Sequence, residues 1–242
     1  MKNLIVGNWK MNPNSQKEAK EIFDAIREGV KELKLADSIE VVICPPAVCL
    51  YASAFGEGVV AMGAQNVYFE NKGAFTGEIS AEMVKDLGAE YVIVGHSERR
   101  KYFGETDEDV NKKIRKALET GLKVIFCIGE TQEEHDEGKK NEILESQIKI
   151  GLEGVGDLAN LNIAYEPVWA IGTGNNCGVE ECKESISFIK TLIPVGTRVL
   201  YGGSVKSENS GAYIKEAGAN GLLVGGASLN AEEFVKIVKS AE

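Results

Sequence analysis

Three side chains of different chemistry stand just past short β-branched runs. Lys10 follows the run at 4–6 within Gly7-Asn8-Trp9-Lys10. His96 follows the run at 91–94 within Gly95-His96-Ser97-Glu98-Arg99-Arg100, and Glu166 follows the run at 163–165 and opens Glu166-Pro167-Val168-Trp169-Ala170-Ile171-Gly172-Thr173-Gly174. A carboxylate can take a carbon-bound proton. A neutral imidazole can donate a hydrogen bond to a carbonyl oxygen and then shuttle a proton, and an ammonium offsets charge on a phosphate or a developing enediolate. His96 precedes a helix predicted to start near Ser97, whose positive end favours the neutral ring. Gly172, Gly202-Gly203-Ser204 and Gly225-Gly226 add turns whose backbone N–H groups can approach a phosphate, because no Cβ intervenes. A short helix predicted to begin near Ala227 would add its positive end.

Each piece is weak alone. A lone Lys after a strand is commonly a solvated side chain, a lone His commonly a structural group, and a Gly pair commonly a tight turn. Gly172-Thr173-Gly174 also fails the dinucleotide fingerprint, because Cys177 stands where its third Gly belongs, and no P-loop pattern occurs. What joins the pieces is the element pattern. Apolar runs at 4–6, 41–44, 59–62, 91–94, 124–128, 163–165, 199–201 and 221–224 read as strands covered on both faces. Helical patterns alternate with them. Ser15 and Glu18 form a capping box ahead of a stripe from Ala19 to Leu33, Thr106 opens a helix that Gly121 closes, and Asn230 caps a last one. Strand then helix, eight times over, predicts an α/β chain folded as a single-domain (β/α)8 TIM barrel, with residues 1–242 as one catalytic domain. A doubly wound open sheet is the alternative. In the barrel, reactive groups sit just past the C-terminal strand ends, so all the candidates meet at one rim.

Composition narrows the partners. The chain has 242 residues, with 27 Lys+Arg against 37 Asp+Glu and a formal charge of −10. That balance argues against nucleic acid and anionic lipid as partners. No apolar run approaches the roughly 18 residues of a spanning helix, and the apolar stretch in the first eight residues is too short for a secretory signal. Five cysteines without a CxxC pair, and only two histidines, argue against a zinc site or disulfide framework. A cytoplasmic location, no metal and no membrane are therefore expected. The run Glu133-Glu134-His135-Asp136-Glu137 reads as a solvated helix start rather than a site. An anionic ligand must be held against the charge of the whole molecule, which predicts a positive potential confined to the C-terminal rim.

At these residues the chain resembles the triosephosphate isomerase family. The similarity is carried by Gly7-Asn8-Trp9-Lys10-Met11-Asn12, Gly73-Ala74-Phe75-Thr76-Gly77-Glu78-Ile79-Ser80, the His96 and Glu166 segments above, Tyr201-Gly202-Gly203-Ser204 and Leu223-Val224-Gly225-Gly226-Ala227-Ser228-Leu229. It implies reversible isomerisation of dihydroxyacetone phosphate and D-glyceraldehyde 3-phosphate in glycolysis and gluconeogenesis, without a cofactor. It implies Glu166 as base, His96 as electrophile, and Lys10 and Asn8 as catalytic and substrate-binding contacts. Gly172, Ser204, Gly225 and Gly226 would offer N–H groups to the phosphate, with Glu98 and Cys127 in supporting roles. The pairing of a carboxylate with a neutral imidazole is long known for this family. The resemblance further implies a lid over 167–177 and a homodimer formed through the 65–78 loop, with Thr76 near the partner's active site and Glu78 facing Arg99 of the other chain. Two departures stand out. Asn175-Asn176-Cys177 replaces the usual Lys-Thr-Ala of the lid's second hinge, and Ala47 replaces a large aromatic. Two other readings stay open: a Schiff-base aldolase using Lys10, and a phosphometabolite-binding protein without turnover.

Overall fold

In a computed structural model of the chain, which describes residues 1–35, 38–50, 58–171 and 176–242, eight parallel strands close on themselves in chain order. They are β1 (Asn3–Asn8), β2 (Ile39–Cys44), β3 (Val60–Ala64), β4 (Tyr91–Val94), β5 (Lys123–Ile128), β6 (Leu161–Tyr165), β7 (Arg198–Tyr201) and β8 (Gly221–Val224). Closure is made by β1 pairing with β8, Ile5 opposite Leu222. The open-sheet alternative is thereby excluded.

Among the described residues the α-helices are α1 (Gln16–Glu32), α2 (Ala81–Asp86), α3 (Ser97–Phe103), α4 (Asp107–Glu119), α5 (Gln132–Asp136), α6 (Lys140–Gly151), α7 (Val179–Leu192), α8 (Ser207–Lys215) and α9 (Ala231–Ser240). Their starts follow the local chemistry. Ser15, Thr106 and Asn230 each accept a backbone N–H of the first turn, from Glu18, Asp109 and Glu233. Gly121 ends the α4 segment at φ 79°, a left-handed angle that costs glycine little. The element expected near Ala227 is a 3-10 turn, Gly226–Leu229, rather than an α-helix. A single such turn aligns few peptide dipoles, so little macrodipole supports an anion there.

Two cores follow from the period-two alternation of the strands. Leu4, Val6, Val42, Cys44, Tyr91, Ile93, Ile125, Cys127, Ala164, Leu200 and Leu223 fill the barrel interior. The intervening residues, such as Ile5, Val92, Val124, Ile163 and Val199, pack under the helices with Phe23, Ile114, Ile186 and Phe234. The parity has a consequence at the rim. Continuing by twos from the inward Val6, Ala164, Leu200 and Leu223 arrives at Asn8, Glu166, Gly202 and Gly225.

The floor of the barrel is closed by charge. Glu40 accepts from Lys123 at 3.0 Å and from Arg198 at 2.9 Å, and Arg198 also donates to Asn162 at 2.7 Å. Burial pushes the Glu40 carboxyl up, but hydrogen bonds from Tyr91, Arg198 and Lys123 outweigh it and bring the group down from 4.5 to about 2. A carboxyl depressed on folding stabilises the fold fully above its unfolded value, and that contribution disappears as pH falls through the folded value. After allowance for solvent screening at this half-exposed site, Glu40→Gln is expected to cost about 1–2 kcal/mol at neutral pH. In urea melts across acid pH the gap between the two proteins should close between 4.5 and about 2. A gap that stays constant over that range contradicts this account.

Candidate active site

One cavity of ≈ 520 Å³ opens among the segments that follow the strand ends, and it is lined by Asn8, Lys10, His96, Glu166, Ser204, Gly225 and Gly226. The seven described site residues singled out in the sequence therefore share one mouth. The eighth, Gly172, lies outside the described residues, as do Thr173, Gly174 and Asn175 of the expected lid. Asn8, His96 and Glu166 are buried, Glu166 with only 2% of its surface exposed.

Glu166 is held at both carboxylate oxygens. Ser97 donates its backbone N–H to Oε2 at 2.9 Å, and His96 Nε2 lies 3.1 Å from Oε1. Ser97 is the first residue of α3, so the carboxylate sits at that helix's N-terminus, where N–H groups lack partners inside the helix. Its backbone is fixed as well: Glu166 donates its N–H to Ile128 O at 2.7 Å. A Cβ on Gly129 would lie 1.7 Å from Glu166 O, and one on Gly202 would lie 3.0 Å from its Cγ. Gly129 must be glycine because the Glu166 backbone fills the space, and a side chain at 202 would press on the Glu166 side chain.

The tautomer of His96 follows from its other nitrogen. Glu98 donates its backbone N–H to His96 Nδ1 at 3.2 Å. A ring nitrogen that accepts an N–H carries no proton of its own, so the proton sits on Nε2, facing Glu166 and the cavity.

Lys10 is placed by its backbone. Its φ is 54°, in the left-handed region that side chains avoid. Asn8 Oδ1 accepts the Lys10 N–H at 3.0 Å, and Gln65 Nε2 donates to Lys10 O at 2.8 Å and to Cys44 O at 2.9 Å. These bonds over-determine the strained residue. Its ammonium pairs with Glu98 at 2.6 Å, and its Cε would lie 3.3 Å from a Cβ on Gly225.

Charge at the mouth departs from the expected positive rim. Its lining includes Lys10 and Lys206 but also Glu166, Glu208 and Glu233. Glu233 is turned to N–H and O–H donors, accepting from Ser207 N at 2.7 Å and Ser207 Oγ at 3.0 Å. The ammonium groups alone do not make the mouth positive. Burial also pushes the Cys127 thiol well up, with the nearby Glu166 charge adding to it. All five cysteines are free and buried.

Sequence reasoning missed Gln65, which props Lys10, and Glu130, which lies buried beside the Glu166 loop. Val168 donates its N–H to Glu130 O at 3.0 Å, and Trp169 Nε1 and Tyr165 Oη donate to Glu130 Oε1 at 2.8 and 3.1 Å. The rule that finds Glu166, applied to the ends of β3 and β5, reaches both.

Fold and geometry define a (β/α)8-barrel protein with a carboxylate, an imidazole and an ammonium at the C-terminal mouth. The profile of the triosephosphate isomerase family matches residues 3–241. The triosephosphate isomerase of Aquifex aeolicus is 47% identical, over 99% of this chain and 100% of that protein. Those of Alkaliphilus metalliredigens and Carboxydothermus hydrogenoformans are 45% and 46% identical, covering 98% and 99% of this chain and the same shares of their own. The chain belongs to the triosephosphate isomerase family.

The His96 geometry is open to direct measurement. Nitrogen-15 NMR at neutral pH is expected to show the His96 proton on Nε2 and a bare Nδ1. A protonated Nδ1 contradicts the hydrogen bond from Glu98.

Proposed function

We propose that the chain interconverts dihydroxyacetone phosphate and D-glyceraldehyde 3-phosphate through an enediolate, and that residues 1–242 act as one catalytic domain. The observation that carries this reading is the buried contact of 3.1 Å between Glu166 Oε1 and His96 Nε2. A base and a hydrogen-bond donor that close can serve adjacent carbons of one small substrate. Glu166 takes the carbon-bound proton and returns it to the neighbouring carbon. To do so its carboxylate gives up one of the two N–H donors it now holds. His96 Nε2–H polarises the carbonyl oxygen and moves protons between the two oxygens. Lys10 offsets the charge of phosphate and enediolate, and Asn8 fixes the turn that presents it. Ser204, Gly225 and Gly226 offer N–H groups to the phosphate, a role proposed for Gly172 on resemblance alone. Glu98 supports both partners, bonding Lys10 through its side chain and His96 through its backbone. The reaction moves protons only, so it calls for no redox cofactor.

The ion pair between Lys10 and Glu98 disfavours the aldolase alternative, which requires a free amine. The reading as a binding protein without turnover is separated by assay. A coupled isomerase assay on the purified chain should show turnover, and Glu166→Gln should lower kcat by about a thousandfold or more while still binding a phosphorylated inhibitor. Equal turnover in both proteins removes Glu166 as the base. No turnover in either leaves a binding protein.

We further propose a homodimer formed through the 65–78 loop. Phe75 leans on Tyr68 with ring centroids 4.9 Å apart, so the loop tip is ordered by its own side chains. The two ends of the loop are tied together, Tyr68 N–H bonding to Ile79 O at 2.8 Å. Phe75, Met11, Met83 in α2, and Tyr102 and Phe103 in α3 are all exposed large apolar side chains, and a homodimer that covered them would remove apolar area from water. No helix among the described residues is long and apolar enough to cross a membrane, and a cytoplasmic location is proposed with it. Sedimentation at micromolar concentration should give twice the chain mass, and Phe75→Glu should shift the chain toward monomer with reduced activity. A fully active monomer contradicts the dimer.

A further inference from the structure

His135 lies in the acidic run that reads, from sequence, as an ordinary solvated helix start. In the structure its ring rests on Trp169, with centroids 4.6 Å apart and planes at 35°. Trp169 stands three residues beyond Glu166, in the 3-10 turn Val168–Ala170. The backbone leaving Glu166 is thus anchored on two sides. Glu130 receives Val168 N–H and Trp169 Nε1–H, and His135 covers the indole face.

The groups around His135 give that anchor a charge dependence. Its Nδ1 is 3.7 Å from Glu130 Oε1, at the end of β5, and 3.6 Å from Glu181 Oε1, in α7. Both distances exceed a hydrogen bond, yet both carboxylates face the ring. Lys140, at the start of α6, opposes them by donating to Glu181 Oε1 at 3.3 Å. On its own helix Asp136 is taken by Gln132 and Glu134 by Thr131. Glu130 is fully buried, and its Oε2 has no hydrogen-bond partner among the described residues. Buried carboxylate oxygens are seldom left in that state. The oxygen nearest His135 is Oε1, which already accepts from Trp169 and Tyr165, so a charged imidazole would join the indole on the same carboxylate oxygen. Burial already pushes the Glu130 carboxyl up, against the bonds from Trp169 and Tyr165 that lower it.

We propose that His135 is a positioning residue, which clamps Trp169 and the backbone leaving Glu166 against Glu130, more tightly when its imidazole is protonated. A protonated ring gains two carboxylates and the face of an indole, which attracts cations. Histidine changes charge within the physiological range, so the clamp tightens as pH falls. A tighter clamp restrains the base, which must give up one of its two N–H donors to work. The catalytic part of the inference rests on the isomerase reading above. The clamp itself does not.

The test compares the wild-type chain with His135→Phe, which keeps a ring on Trp169, and His135→Gln, which keeps a polar group without a ring. Neither variant titrates at this position. Tryptophan fluorescence, followed from about pH 8 to about pH 5, should show a step in the wild type that both variants lack. Trp9, buried and bonded to Ser228 O, is common to all three proteins. Over the same range the wild-type kcat should fall about fivefold further than that of either variant, the size of one ion pair, with KM unchanged. Identical fluorescence titrations overturn the clamp. A fluorescence step with parallel kcat profiles overturns the positioning role. A wild-type chain that steps in fluorescence but has no isomerase activity keeps the clamp and removes the isomerase reading.

Discussion

A closed parallel barrel sends every strand's C-terminal end to the same rim, and the pleat decides which side chains there look inward. That constraint fixes most of the rest. Even positions of β1 and β6 and of β7 fill the barrel as Leu4, Val6, Ala164 and Leu200. The next inward positions are Asn8, Glu166 and Gly202. A one-residue slip in any strand would turn its rim residue into the helix layer. The interior packing of the barrel and the placing of its reactive groups are therefore one property of the fold. Interior side chains that close the barrel set the register, and the register aims the Glu166 carboxylate.

Electrostatics at the rim is handled by backbone and near neighbours. Glu166 is nearly removed from water, an expensive position for a carboxylate without donors. Ser97 N–H and His96 Nε2 supply them, and the Glu98 N–H in turn holds His96. The start of α3 thus orients the Glu166 carboxylate and the His96 imidazole together. Glu98 uses its side chain on Lys10 and its backbone on His96, which ties the three candidate groups into one connected set. The charge of −10 is no obstacle to a small anion in this setting. Lys10 is held by a strained backbone, and the glycine turns bring N–H dipoles that do not depend on net charge.

Much of this was legible in the sequence, because the signals were local. The β-branched runs gave all eight strands, with ends shifted by a few residues, and Ser15, Thr106 and Asn230 cap their helices as their side chains suggest, although only the Ser15 half of the expected box with Glu18 forms. The capping partners are three residues away, so sequence spacing is enough. The same holds for Lys10, His96 and Glu166, each within a few residues of a strand end. What escaped depends on distance across the fold. Gln65 meets Lys10 only because β1, β2 and β3 lie side by side in the sheet. Glu130, at a rim position, is revealed as buried only by the indole and phenol that reach it. The run at 133–137 is the solvated helix start that its charges suggest, but the contact of His135 with Trp169 depends on distance across the fold. The expected positive rim also fails as simple side-chain arithmetic, since Glu208 and Glu233 line the same mouth.

The central claim is that a carbon-bound proton passes through the Glu166 carboxylate. Running the isomerisation in deuterium oxide and following the carbon-bound hydrogens by NMR tests it most directly. Transfer through a carboxylate that exchanges with solvent places deuterium on the carbon that receives the proton, and Glu166→Gln abolishes that incorporation. Isomerisation that continues undiminished in Glu166→Gln, with the product keeping all of the substrate's original hydrogen, would mean a route that bypasses this carboxylate and would contradict the account.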